Sequence, residues 1–254
     1  MVLSPGFTDE PRGSLTALAE EPASSGHVVA GVERTYESLA TSFPDGRITT
    51  CVACKETKDQ EFWNKPGRSR AADVSFVPDR LTGARPVWKG ASLIAPSRIG
   101  MAGHPAGGAS AIAAMPKDTR VHAGIDMDGT TFAPIPDGGL PRPFLFPGTK
   151  AAHSPGGRDT ARERDWARLT GWKRRLVVTG AEHASFTDAA PPVERLGLHR
   201  NPALPGERAA EITRDHVRAF FDPHLRHRSQ PLFDRPSKRH PEVERCDVER
   251  KTCA

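Results

Sequence analysis

The feature that most constrains the fold is a regular alternation of short apolar runs with segments of helical periodicity. The apolar runs typical of strands lie at residues 2–3, 27–32, 98–102, 123–127, 144–146 and 176–178. The segments with helical spacing lie at residues 15–24, 71–81, 107–115, 162–169 and 209–225. Strands that alternate with helices favour a parallel sheet covered by helices on both faces. We therefore predict an α/β fold.

The alternation also suggests how the chain is organised. It predicts a single α/β domain over residues 1–225, in which residues 33–70 form a long polar loop or insertion around the turn signal Pro-Asp-Gly at 44–46. Residues 226–254 are rich in Pro and Arg and are expected to form an irregular tail.

Composition excludes several classes of protein. The chain has 24 Pro in 254 residues, roughly twice the usual ~5%, but without the Gly-X-Y period of collagen. The net charge of +5 is small and the basic residues are interleaved with acids, so no nucleic-acid partner is expected; the basic residues 226–239 are a weak alternative. No apolar run approaches a membrane span, and Met1 is followed by no leader pattern. This predicts a cytoplasmic chain, or a secreted one if the true start lies upstream.

The four cysteines do not have the spacing of a metal site. Cys51 and Cys54 form one close pair, but Cys246 and Cys253 are separated by six residues, which is wider than the usual spacing of zinc ligands. We expect four unpaired thiols in loops, with disulfides within or between the pairs as the alternative if the chain is exported. No metal is expected.

The segment most informative about chemistry is Ile-Gly-Met-Ala-Gly-His-Pro-Ala-Gly-Gly at residues 99–108. A strand that ends in Gly-x-Z-x-Gly and turns into a helix of small residues is the context of a nucleophile elbow. Gly103 and Gly107 permit the sharp turn, and Pro105 occupies the central position Z. Alone, such a turn is more often structural than catalytic.

Four other segments strengthen the interpretation of residues 99–108 as a nucleophile elbow. They are Ser-Pro-Gly-Phe at 4–7, Gly-His-Val-Val-Ala at 26–30, Gly-Ile-Asp-Met-Asp-Gly-Thr at 124–130 and Gly-Ala-Glu-His-Ala-Ser-Phe-Thr-Asp at 180–188. In this order and spacing, over about residues 1–245, the chain resembles the α/β-hydrolases of the platelet-activating factor acetylhydrolase and bacterial lipase/esterase group. The resemblance implies an α/β-hydrolase fold, with a mostly parallel central sheet whose first strands are missing. It also implies a carboxylic-ester hydrolase that acts on small ester or lipid-like substrates without a cofactor.

The resemblance assigns the site residues. Asp128 matches the triad acid, with Asp126 as a weaker competitor, and His183 matches the general base. The backbone N–H groups of Phe7 and Ala106 match the oxyanion hole. The alternatives are that Asp128 caps the turn before Gly129 and that His183 is an incidental loop histidine.

Three further histidines, His104, His122 and His153, are interpreted as structural or surface residues.

Pro105 departs from the pattern at the nucleophile position. Proline carries no hydroxyl or thiol, so no acyl-enzyme can form there. Its fixed φ near −65° also predicts a distorted elbow, because the family has positive φ at this position. Three other prolines, Pro22, Pro78 and Pro116, lie within or at the end of predicted helices. We therefore predict an ester hydrolase with impaired catalysis or, alternatively, a non-catalytic pseudoenzyme that binds ester or lipid-like ligands.

Overall fold

The computed structural model describes residues 1–9, 11–157, 159–199 and 202–254. Its strands are β1 (Val2–Ser4), β2 (Ala30–Gly31), β3 (Ala40–Ser42), β4 (Ile48–Thr50), β5 (Ile99–Gly103), β6 (Val121–Asp126), β7 (Phe144–Thr149), β8 (Lys173–Val178), β9 (Val243–Asp247) and β10 (Thr252–Cys253). Its α-helices are α1 (Pro11–Ser14), α2 (Thr16–Ser24), α3 (Gln60–Thr82), α4 (Ala106–Ala114), α5 (Lys150–His153), α6 (Ala161–Arg168), α7 (Ala190–Arg195) and α8 (Gly206–Arg226). Short 3-10 turns lie at Ala53–Lys55, Ala91–Leu93, His183–Phe186 and Pro231–Phe233.

A single large sheet forms the centre of the fold. Its strand order is β10-β9-β8-β7-β6-β5-β1-β2. All pairs from β2 across to β8 are parallel, and only β9 and β10 run antiparallel to their neighbours. The predicted mostly parallel sheet flanked by helices is confirmed.

Each face of the sheet is covered by helices through its own apolar core. On one face, buried residues of α2 and α8, among them Leu18, Ile212 and Phe220, pack on the strands. On the other face, α3 and α4 do the same through residues such as Val74 and Ile112. The helical spacing of these apolar positions places them on one side of each helix, which is why the sequence pattern predicted the helices.

The predicted long loop at residues 33–70 is wrong in part. It contains the antiparallel hairpin of β3 and β4, which turns at Pro44-Asp45-Gly46 with Gly46 at φ +81°. It also contains the first part of α3, whose predicted range was only 71–81. The side chain of Asp59 caps this helix by accepting the Phe62 N–H at 2.7 Å. Polar residues dominate this first part, so the helical period was hidden.

The prediction of an irregular tail at residues 226–254 is also wrong. In this segment β9 pairs with β8 and extends the central sheet, and β10 pairs with β9. Charged side chains such as Glu244 and Arg245 interrupt the apolar signal of β9, as is common near the edge of a sheet.

The expectation of unpaired thiols is corrected as well. Cys51 is bonded to Cys54, and Cys246 on β9 is bonded to Cys253 on β10. No free cysteine occurs among the residues that the structure describes. The open alternative, a disulfide within each pair, is the observed state.

The three prolines expected within or at the end of predicted helices occupy such positions in the structure. Pro22 lies inside α2, Pro78 inside α3, and Pro116 just beyond the end of α4. Among the described helices, none is both long and apolar enough to cross a lipid bilayer.

Gly107 allows α4 to lie directly against β1, and this contact is testable. A Cβ at this position would collide with the backbone carbonyl of Ser4. We expect Gly107→Ala to lower the free energy of unfolding by about 1–3 kcal/mol, because the backbone must shift. Gly67, inside α3, is the matched control, since a Cβ there meets nothing within 4 Å. Gly67→Ala should raise stability by roughly 0.5–1 kcal/mol. Urea denaturation measures both; equal effects would contradict the packing argument.

Candidate active site

The candidate site lies at the carboxyl edge of the parallel strands. The turn around Pro105 follows β5, Asp128 follows β6, and His183 lies in the 3-10 turn after β8. In parallel α/β sheets the strand ends meet at one edge, which brings residues distant in sequence together. The sequence-predicted Pro105, Asp128 and His183 line one cleft there, together with Phe7 and Ala106.

Pro105 begins α4 with helical geometry. Its φ is −73° and its ψ is −40°, and its carbonyl accepts the Ala109 N–H at 3.0 Å. The positive φ of the family is therefore absent at this position, as the fixed ring of proline requires. Pro105 does not disrupt the helix, because proline is tolerated in a first turn, where its missing N–H is not needed.

Asp128 and His183 form a close pair. Nδ1 of His183 lies 2.5 Å from Oδ2 of Asp128. The side chain of Asp128 is 3% exposed, whereas that of His183 is 59% exposed and open to the cleft. The hydrogen bond to Asp128 raises the pKa of His183 above its ordinary value, although partial burial opposes this. Since Nδ1 is occupied by Asp128, Nε2 is the nitrogen that can take or give a proton to a ligand.

Further donors surround the carboxylate of Asp128. Its Oδ1 accepts the backbone N–H of Thr149 at 2.6 Å and lies 3.3 Å from Nε2 of His153. Burial opposes ionisation, but the hydrogen bond from His183, the nearby His153 and the Thr149 N–H together lower the pKa of Asp128. Asp128 also has a left-handed backbone with φ +52°, a conformation that Asp tolerates better than most residues.

The competitor Asp126 occupies a different position. It is fully buried at the end of β6, and neither of its carboxylate oxygens has a hydrogen-bond partner among the described residues. Nη2 of Arg162 lies 3.7 Å away. Burial raises the pKa of Asp126 to about 7. His183 is paired with Asp128 and not with Asp126.

His104 was interpreted from sequence as structural or surface, and it lies next to the pair. It is 2% exposed and its Nε2 donates to the backbone carbonyl of His183 at 3.0 Å, with the two ring centroids 4.4 Å apart. Burial lowers the pKa of His104 to about 3, with the nearby His183 acting in the same direction, so its imidazole is neutral. His104 thus supports the turn that carries His183; its position just before Pro105 was the only signal in the sequence.

The backbone N–H groups of Phe7 and Ala106 are the oxyanion donors that the resemblance implies. Ala106 is the first residue of α4, where N–H groups have no helical acceptor. Neither N–H takes part in a hydrogen bond between described residues. The loop before Phe7 is held by Arg70, which is fully buried and donates to the carbonyls of Pro5 at 2.6 Å and Gly6 at 3.3 Å.

Aromatic side chains line one wall of the cleft, which has a volume of about 470 Å³. Trp63 from α3 stacks on Phe132, with ring centroids 5.0 Å apart and planes 8° from parallel. Phe7 contacts the edge of Trp63 at 5.5 Å. No sequence pattern indicates Trp63 as a site residue, because it lies in the part of α3 that is predicted from the sequence to be a loop.

The cluster of His104, Asp128 and His183 has the residue types of a metal site. Two ligand atoms on one tetrahedral zinc lie about 3.3 Å apart, whereas Nδ1 of His183 and Oδ2 of Asp128 are 2.5 Å apart. A cation between these two atoms would have to break their hydrogen bond. The geometry fits a hydrogen-bonded acid–base pair better than a ligand set.

The chain is similar to known proteins over nearly its whole length. No family model matches the chain. A curated protein of Arthroderma benhamiae, named "Probable 1-alkyl-2-acetylglycerophosphocholine esterase", is 26% identical over 267 residues, which cover 96% of this chain. The chain spans 65% of the length of that relative. The solved structure of a ferulic acid esterase from Streptomyces cinnamoneus is 41% identical, with a TM-score of 0.87, over 97% of this chain and 73% of that one.

The chain belongs to an esterase family of the α/β-hydrolase fold. Both relatives are named as esterases, and their matches cover nearly the whole chain. For this member of the esterase family, the resemblance drawn from the sequence motifs is confirmed at the level of fold and family.

The raised pKa of Asp126 makes a prediction about stability. The unfolded carboxyl ionises near 3.8 and the folded one near 7, so the folded state holds a proton that the unfolded state loses between these values. The free energy of unfolding therefore falls as pH rises through this window. Asp126→Asn removes the ionisation, and its stability relative to the parent should rise from about pH 4 to about pH 7.

Urea denaturation at several pH values measures this difference. Asp137, whose side chain is 94% exposed, provides the control variant Asp137→Asn, which should follow the parent at every pH. A constant difference between Asp126→Asn and the parent would contradict the assignment of a raised pKa.

Proposed function

We propose that this chain is a carboxylic-ester hydrolase by descent whose acyl-transfer step is blocked at Pro105. The observation that carries the proposal is the juxtaposition, in one cleft, of a paired Asp128 and His183 with a proline at the elbow position. The proposed roles are triad acid for Asp128, general base for His183 and oxyanion donors for the N–H groups of Phe7 and Ala106. Each of these residues lines the cleft.

The proposed block is chemical. In the usual route the general base takes a proton from a hydroxyl as its oxygen attacks the ester carbonyl. The ester C–O bond then breaks, the alcohol leaves with that proton, and the acyl group stays on the hydroxyl oxygen until water releases it as an acid. Pro105 offers no such atom. Ser110 does not replace it, because it is fully buried in α4 and donates to the carbonyl of Gly107 at 2.6 Å.

A slower route remains open in principle. His183 can accept a proton from a water molecule while that water attacks the ester directly, so that no acyl-enzyme forms. Enzymes that lose their nucleophile retain only about 10³–10⁴-fold acceleration over water. We therefore expect very low turnover in the chain as it stands.

The second candidate function is ester binding without turnover. It is favoured by the cleft of about 470 Å³ with an aromatic wall formed by Phe7, Trp63 and Phe132. Flat aromatic groups stack well on such walls. Because the Streptomyces cinnamoneus relative is named a ferulic acid esterase, we propose aromatic acyl esters as the first ligands to test.

Restoring the hydroxyl tests the block. We expect Pro105→Ser to raise kcat/KM on a chromogenic short-chain ester by about 10³-fold or more, because loss of a triad nucleophile costs subtilisin about 10⁶. The double variant Pro105→Ser with His183→Ala should lose that gain.

Two results would overturn the assignment. One is ester hydrolysis by the parent chain at rates typical of esterases that disappears in His183→Ala. The other is a Pro105→Ser variant that is well folded, as judged by circular dichroism, and remains inactive.

Ester binding without turnover is tested by measuring ligand affinity before and after a change in the aromatic wall. We expect the parent to bind methyl ferulate more tightly than methyl octanoate in calorimetry, without releasing acid. Trp63→Ala should weaken methyl ferulate binding about fivefold or more, because stacking is worth roughly 1 kcal/mol beyond area burial. Trp88, which lies outside this cleft, provides the control variant Trp88→Ala; an equal loss in both variants would count against the wall as the binding surface.

A further inference from the structure

A second imidazole lies behind the Asp128–His183 pair, on the side away from the cleft. His153 is the last residue of α5, and its side chain is 4% exposed. Its Nε2 lies 3.3 Å from Oδ1 of Asp128, and its Nδ1 lies 3.5 Å from Oδ2 of Asp159. The buried ring therefore stands between two carboxylates. The sequence indicates only a structural or surface position for His153, and the ester hydrolysis proposed for the cleft does not use it.

The ring of His153 is fixed in place by its surroundings. The backbone carbonyl of His153 accepts Nε and Nη2 of Arg175 at 3.0 and 2.9 Å. A Cβ at Gly148 would lie only 2.7 Å from Cδ2 of His153, so the ring packs against the bare backbone of β7. With the backbone held by Arg175 and the ring packed on Gly148, it is Nε2 that lies towards Asp128.

The charged groups around His153 come from several elements. Asp128 and Asp126 lie at the end of β6, Asp159 precedes α6, and Arg162 lies on α6. Arg175 of β8 is paired with Glu163 of α6, and Lys150 of α5 is paired with Glu244 of β9. Burial, with Arg162 acting in the same direction, lowers the pKa of His153. The imidazole is therefore neutral and has a single N–H to donate.

The contact to Asp128 is the shorter of the two. A hydrogen bond between His153 and Asp159 opposes the fall in the pKa of His153, but Asp159 also has other donors. Asp159 accepts the Thr130 hydroxyl at 2.8 Å and the Ala161 N–H at 2.9 Å. We propose that His153 is a positioning residue, whose Nε2–H holds Oδ1 of Asp128 and thereby keeps Oδ2 directed at His183. This inference rests on the proposed role of the Asp128–His183 pair in the site.

A donor on Oδ1 can affect the contact of Oδ2 with His183 because the carboxylate of Asp128 rotates about its Cβ–Cγ bond. His183 is more than half exposed, and its ring is oriented by a hydrogen bond to one oxygen of Asp128. Donors on the other oxygen, Thr149 N–H and His153 Nε2–H, determine how freely that carboxylate turns. Groups of this kind behind a functional side chain fix its orientation and its basicity.

Three substitutions separate the donor role from packing. In His153→Gln the amide nitrogen can occupy the place of Nε2 and donate to Asp128. In His153→Asn the shorter amide occupies the place of Nδ1, beside Asp159, and His153→Leu offers no donor at all. The readout is the proton resonance of the His183 Nδ1–H, assigned by its loss in His183→Ala, together with the pKa of His183 from NMR titration.

We expect His153→Gln to keep the downfield resonance and the raised pKa of His183. His153→Asn and His153→Leu should move the resonance upfield and lower the pKa of His183 by roughly half a pH unit or more. Folded Asn and Leu variants with an unchanged resonance and titration would overturn the proposal. A Gln variant that behaves like the Leu variant would overturn it too, because packing alone would then explain the effect.

Asp159→Asn keeps the test decisive if the His153 variants fail to fold. Its amide can donate to Nδ1 of His153, which fixes the proton on Nε2, and the His183 resonance should persist. Loss of the resonance in a folded Asp159→Asn variant would overturn the proposal. None of these measurements needs an ester or turnover, so an inactive Pro105→Ser variant leaves this test intact.

Discussion

Buried guanidinium groups hold together the loops on which the site depends. Arg70 ties the loop after β1 to α3 by donating to two of its carbonyls and pairing with Glu37 at 2.6 Å. Arg162 does the same on the other side, donating to the carbonyls of Gly129, Pro147 and Asp126. Irregular backbone that is buried must find hydrogen-bond partners. Each of these side chains supplies several donors at once, which is why such loops can be packed rigidly at the sheet edge.

Differences in local environment explain why neighbouring titratable groups of the site ionise differently. Asp128 accepts hydrogen bonds and is charged, whereas Asp126, two residues earlier, is buried with no side-chain hydrogen bond to the described residues and has a pKa of about 7. The two carboxyls differ in environment and not in residue type. The two histidines also differ by environment. The pKa of His183 is raised because its ring faces the carboxylate of Asp128 in an open cleft, whereas His104 is neutral because its ring is buried.

The sequence predicted the parallel sheet well because its strands are short apolar runs flanked by turn residues, and the helices of both faces show clear periodicity. The prediction failed where polar surface side chains obscured the hydrophobic periodicity of an element. The start of α3 is polar, so its capping by Asp59 and the placement of Trp63 beside Phe132 could not be foreseen. The motif positions selected Asp128 and His183, and the structure places these two side chains in contact. The positions of His104 and His153 depend on how loops fold over one another, which a single sequence does not encode in any local pattern.

The helical backbone at Pro105 has a consequence at the level of the gene. Every proline codon becomes a serine codon through one change of cytosine to thymine at its first base. Serine adopts φ −73° and ψ −40° without strain and is also favoured at the start of a helix. The hydroxyl is therefore a single nucleotide away from a position at the start of α4, in the cleft that also holds Asp128 and His183.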